Sequence, residues 1–189
     1  MFFRKATVND IDSVMEIVAD AQHSLASRGI DQWQEGYPTR PVIENDVANG
    51  VGEVVMVDGT VAAYVCLVVN GEPSYAYIDG KWIDEGDYVV VHRVCVRNSH
   101  VRRGIATAIM HHAIEFALAN GVYDLKIDTH KDNSYMLDLM AKFNFVYCGI
   151  IHYPHGDRVA YELQIPRFTI RYLRLPRPMA SACSIVWTP

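Results

Sequence analysis

Residues 92–107, HRVCVRNSHVRRGIAT, constrain the fold more than any other part of the chain. A β-branched strand runs into a short basic loop, and the loop runs into the first turn of an amphipathic helix. Gly104 at the junction lets a ligand approach the backbone closely. The N–H groups that open a helix lack intrahelical partners, and the helix dipole adds positive potential there, so the junction suits an anion. Arg102 and Arg103 add charge beside those donors, with Arg97 and His100 a little further back. A phosphate-bearing ligand fits this pattern. An ordinary strand-to-helix turn with solvated arginines fits it too.

The following residues extend the unit. Ile105, Ala108, Ile109, Ala113, Phe116 and Ala117 recur at helical spacing on one face, and Asn120-Gly121 supplies a stop. Tyr123, Leu125 and Ile127 then alternate with Asp124, Lys126 and Asp128, the period-two pattern of a half-buried strand. The loop lacks the Lys-Ser/Thr ending of a nucleotide P-loop and the spaced glycines of a dinucleotide fingerprint.

At this point the sequence resembles the GCN5-related N-acetyltransferase (GNAT) family, whose acetyl-coenzyme A loop reads Gln/Arg-x-x-Gly-x-Gly/Ala at the start of the central helix. The matching window is Val101-Arg102-Arg103-Gly104-Ile105-Ala106, with Val101 in place of the usual Gln or Arg. Asp132-Asn133-Ser134 through Phe145 is similar to the family's later helix, and Phe143-Asn144-Phe145 stands for its aromatic-Gly-Phe step. The likeness spans residues 3–165. It implies an α/β (α+β) fold, a mixed, twisted sheet of six to seven strands flanked by about four helices, with acetyl-CoA as cosubstrate and a small-molecule or peptide amine as acceptor.

The rest of the chain reads in the same sense. A strand is expected over 2–7, then a helix to about residue 28, with Thr7 and Asp10 as its capping pair. A loop over 30–38 precedes a shorter helix, with Pro41 in the first turn and Asn49-Gly50 as the stop. Strands over 51–57 and 61–69 join through Asp58-Gly59, a two-residue hairpin turn. A polar excursion over 70–86 leads to a strand over 88–96. A helix over 132–143 and strands over 145–153 and 158–165 complete the domain, assigned to residues 1–165. The last 24 residues, 166–189, hold four prolines, four arginines and no acidic residue, and read as an appended basic tail, either loosely ordered or an arm for a homodimer contact.

The resemblance also distributes roles. Backbone groups of Val94, Cys95 and Val96 would pair with the pantetheine arm and polarise the thioester carbonyl, while Arg102, Arg103, Gly104, Ile105, Ala106 and Thr107 cradle the diphosphate. Asn133 stands where the family contacts pantetheine, and also where an Asn caps a helix. His92, four positions before Val96, occupies a place where many members carry a Glu general base. It is read either as that base or as a hydrogen-bonded structural histidine. The usual tyrosine acid is replaced by Met140, leaving Tyr135, Tyr147 and Tyr153 as candidate acids. Trp33, Glu35, Tyr37, Tyr75 and Tyr77 are candidates for the acceptor pocket, because ring faces and carboxylates both attract an ammonium.

Composition limits the alternatives. A net charge of −5 argues against nucleic acid and anionic membranes as partners. The apolar run 61–69 is too short to span a bilayer. Polar residues interrupt the first turn of sequence where a secretory signal would stand, so a cytoplasmic protein is expected. Cys66, Cys95, Cys148 and Cys183 show no CxxC spacing, and His111-His112 point about a hundred degrees apart on a helix, so no metal site is expected. Two functions remain. One is acetyl transfer to a primary amine by direct attack. The other is a non-catalytic acyl-CoA-binding regulatory module, suggested by the departures at Val101 and Met140.

Overall fold

A computed structural model describes residues 1–167; the appended tail, apart from its first two residues, lies outside them. Eight strands form one sheet: β1 (Phe2–Lys5), β2 (Gly52–Val57), β3 (Thr60–Val69), β4 (Asp79–Gly80), β5 (Val89–Val96), β6 (Asp124–Thr129), β7 (Val146–Tyr153) and β8 (Gly156–Gln164). Their spatial order is β1-β2-β3-β5-β6-β8-β7-β4. Four α-helices accompany them: α1 (Ile11–Ser27), α2 (Arg40–Ala48), α3 (Ile105–Ala119) and α4 (Ser134–Lys142). The mixed sheet and the four helices were expected. The eighth strand was not, because β4 is two residues long. It forms where Gly80 and Gly149 meet, since a Cβ on either would lie 2.2–2.3 Å from a backbone oxygen of the other strand.

Two apolar layers cover the sheet. Val55, Ala63, Leu67, Val89, Val91, Leu125 and Ile127 pack against Ile105, Ile109, Met110 and Ala113 of α3 and Met140 of α4. Val54, Tyr64, Cys66 and Cys95 pack against Val14, Ile17 and Val18 of α1 and Ile43 of α2. The capping pair forms a reciprocal box on a single 3-10 turn, Val8–Asp10, that leads into α1. Asp10 also takes both arms of the Arg4 guanidinium at 2.7 Å, which ties β1 to that turn.

The half-buried reading of β6 is corrected. Asp124 and Lys126 are 3% and 2% exposed. The excursion between β3 and β5 folds over this face and is pinned there. Glu162 on β8, fully buried, accepts the backbone N–H groups of Ile83 (2.6 Å) and Asp84 (2.8 Å). Lys126 donates to the Asp84 carbonyl at 2.9 Å beneath the rings of Trp82 and Tyr88. Period-two alternation reports which residues share a face, not whether another segment covers it.

Candidate active site

Where β5 leaves β6, the sheet opens. The two strands pair in parallel at Val89–Leu125 and Val90–Lys126, and the register goes no further. On the other edge of β5, the ladder with β3 shifts between Tyr64 and Cys66, and Arg93 adopts a left-handed φ of +54°. This bulge bends β5 away from β6. A side chain other than Gly tolerates that conformation only when its surroundings hold it. Here the Arg93 guanidinium holds Asp46 of α2 at 2.7 and 2.8 Å and donates to the Tyr37 hydroxyl at 2.7 Å.

The parted strands enclose a cleft of ≈ 740 Å³, walled by α1, the loop after it, β5, the start of α3, the end of β6 and α4. At its head lies the basic loop. Arg102 (φ +61°) and Gly104 (φ +79°) turn the chain so that α3 opens toward the cleft. The first intrahelical bond runs from Ala108 N–H to Gly104 carbonyl, so the N–H groups of Ile105, Ala106 and Thr107 precede the helical ladder. Apart from its two chain neighbours, nothing lies within 4 Å of where a Gly104 Cβ would stand. An anion has room, donors and dipole together.

Of the residues assigned to the cofactor, Val94, Cys95, Val96, Arg102, Gly104, Ile105, Ala106, Thr107 and Asn133 line the cleft. Arg103 does not; its guanidinium turns toward Asp58, 3.8 Å away in the β2–β3 hairpin. Asn133 sits at the cap position of α4, but its side chain makes no cap bond and instead donates to Thr129 Oγ1 at 3.0 Å. Burial pushes the Cys95 thiol up to about 12, so it stays protonated at neutral pH.

The acceptor candidates scatter. Trp33 lines the cleft, and Tyr37 reaches it through Arg93. Tyr75 is buried and donates to Asp128 at 2.8 Å. Tyr77 is 82% exposed and Glu35 is exposed, both outside the lining. Among the acid candidates, Tyr135 lines the cleft with the Arg28 guanidinium 4.2 Å from its ring centre. Tyr147 packs edge-on against Tyr161, away from the cleft. His92 shares the Val90 face of β5 and looks toward Glu72, Nε2 to Oε2 3.7 Å. Burial and the neighbouring Arg93 charge push its pKa down to about 3, so the ring is neutral and a weak base.

Among the lining residues that the sequence reading did not assign to the site, three polar ones shape it. Gln32 accepts hydrogen bonds from Thr129 (3.3 Å) and His130 N–H (3.2 Å), bridging the loop after α1 to the end of β6. Arg93 carries the bulge. Asp128, half-buried at the end of β6, accepts hydrogen bonds from Tyr75 and, at 3.4 Å, from Tyr153. The charge alternation of β6 marked Asp128 as polar without showing that it faces a cavity.

The acetyltransferase (GNAT) family profile matches residues 16–145. This chain belongs to the GNAT acetyltransferase family. A GNAT acetyltransferase from Streptococcus agalactiae is similar in structure at a TM-score of 0.79 with 34% identity, covering 87% of this chain and 95% of that one. A ribosomal-protein-alanine N-acetyltransferase from Brucella melitensis (TM-score 0.64, 19% identity, 87% and 100% covered) shares the fold, as does an N-acetyltransferase from Staphylococcus aureus (0.63, 21%, 87% and 98%). Comparison with curated proteins yields no match. Family membership makes this GNAT chain an acetyltransferase with acetyl-CoA as the implied cosubstrate. Among the described residues no helix is long and apolar enough to cross a membrane.

Proposed function

We propose that this GNAT protein transfers an acetyl group from acetyl-CoA to a primary amine by direct attack within a ternary complex in the cytoplasm, with residues 1–165 forming the transferase unit. The observation that carries this reading is the single cleft joining the α3 N-terminus to the gap between β5 and β6. A diphosphate fits the donors at one end, and a thioester fits the unpaired β5 edge at the other.

In this reading Arg102 and the N–H groups of Gly104, Ile105, Ala106 and Thr107 hold the diphosphate, and Asn133 lies against the pantetheine. Backbone groups of Val94, Cys95 and Val96 orient the thioester and polarise its carbonyl. Trp33 supplies an aromatic face on the acceptor side, with Tyr37 behind it on Arg93 and Tyr75 behind it on Asp128. Tyr135, the acid candidate that lines the cleft, is placed to protonate the leaving thiolate. A covalent route through Cys95 is disfavoured by its protonated thiol.

Calorimetry with acetyl-CoA, followed by free-thiol release with a panel of primary amines, tests the reading. Micromolar binding with amine-dependent thiol release is the expected result. Binding without turnover of any amine would overturn it in favour of the regulatory module.

A further inference from the structure

Asp128 stands where the two strands have parted, across the cleft from Arg93 and Val94. Both tyrosine contacts fall on its Oδ1: Tyr75 Oη at 2.8 Å and Tyr153 Oη at 3.4 Å. Its Oδ2 accepts no hydrogen bond from the described residues, although Asp128 lines the cleft. A half-buried carboxylate with one oxygen anchored and the other unclaimed, among aromatic rings, is suited to an ammonium ion.

We propose that Asp128 binds the ammonium of the acceptor and takes its proton, with Tyr75 and Tyr153 as positioning residues. The inference rests on the acetyl-transfer reading and deepens it: the acceptor is a cationic primary amine whose charged end meets the carboxylate that Tyr75 and Tyr153 anchor. Other groups are worse placed. The Arg93 charge is already matched by Asp46, and His92 is neutral outside the lining. Glu72 Oε1 is occupied by the Ser74 N–H at 2.9 Å, and its Oε2 faces His92.

One ammonium proton passes to Asp128, freeing the nitrogen lone pair to attack the thioester carbonyl carbon. The new C–N bond forms, the C–S bond breaks, and its electron pair leaves with sulfur. A second nitrogen proton ends on the thiolate, and the first leaves Asp128 for solvent, regenerating the carboxylate.

Burial and the nearby Glu72 charge raise the Asp128 carboxyl, and the Tyr75 and Tyr153 hydrogen bonds and the Arg158 charge oppose them; the balance lies at about 6. Turnover through Asp128 therefore rises with pH through about 6. Asp128→Asn should lower kcat/KM for phenethylamine by roughly 100-fold or more and abolish that limb, while acetyl-CoA affinity stays within about twofold. Tyr153→Phe, which removes a donor to the carboxylate, should shift the limb upward. His92→Gln should leave the limb in place. Because folding raises the Asp128 pKa, the protonated form favours the native state. The Asn variant should then melt no lower than wild type at pH 8, which separates a lost base from a lost fold.

An Asp128→Asn enzyme keeping its acid limb, or more than about a third of wild-type kcat/KM, would overturn the assignment. Should wild type bind acetyl-CoA yet acetylate no amine, the transfer reading itself has failed. Calorimetry of phenethylamine into coenzyme A-loaded protein then decides the ammonium site: loss of binding in Asp128→Asn supports it, and equal binding overturns it.

Discussion

Arg93 reaches from a bulge in the central sheet to grip Asp46 of α2 at both carboxylate oxygens, 2.7 and 2.8 Å, with both side chains largely buried. Asp46 also accepts the Tyr64 hydroxyl at 2.7 Å. The contact does two things at once. It anchors α2 to the sheet, and it holds Arg93 in the left-handed conformation that parts β5 from β6. The opening of the cleft is thus fixed by a helix that does not line it.

Asp46→Ala should therefore cost about 3–5 kcal/mol, because it leaves a buried guanidinium and a buried hydroxyl without their acceptor. Urea denaturation measures the loss. Acetyl-CoA affinity should fall with it, since β5 is freed to straighten against β6.

The two arginines of the basic loop should part company. Arg102 lines the cleft, whereas Arg103 faces Asp58 with both side chains largely exposed. Arg102→Glu should weaken acetyl-CoA binding about tenfold, or about 1.4 kcal/mol. Arg103→Glu should change it by less than about twofold, as expected of a contact to an exposed hairpin. Calorimetry at two salt concentrations checks both, with the larger salt dependence carried by Arg102. Equal losses would show that the loop turns in solution.

Lys126→Met should destabilise the protein by about 3–5 kcal/mol. It strands the buried Asp124 carboxyl, 3.6 Å from the Lys126 ammonium, without its cation, and it removes the donor to the Asp84 carbonyl. The excursion that carries Tyr75 should loosen first, visible as faster hydrogen exchange at Ile83 and Asp84, whose N–H groups now sit on Glu162.

Acid should weaken the link between β1 and α1. The Arg4 fork, with Thr7 N–H and Oγ1 on the same carboxylate, holds the Asp10 carboxyl well below the ordinary carboxylate range. A depressed folded-state pKa adds stability that is present above the unfolded value of about 3.9 and is lost as pH falls below it. Melting temperature should thus drop between about pH 4 and pH 2 in wild type, and Asp10→Asn should lose less over the same interval while starting lower.

The sequence by itself determined the local order of this protein. Helical spacing from Ile105 to Ala117, the Asp58-Gly59 turn, and the strand, basic loop and Gly104 before α3 are short-range signals, and each became the element it implied. Because the phosphate-type donors are backbone groups at a helix start, locating that start also located them. Only tertiary structure decided the rest. The period of β6 could not tell that Asp124, Lys126 and Asp128 lie under the excursion pinned by Glu162, nor could it show Arg103 turning to Asp58. The cleft exists because Arg93 meets Asp46, 47 positions away in the chain, and because Asp128 comes to face a gap between strands. Periodicity is set by the geometry of neighbouring residues, whereas a cavity is set by what distant segments leave unfilled.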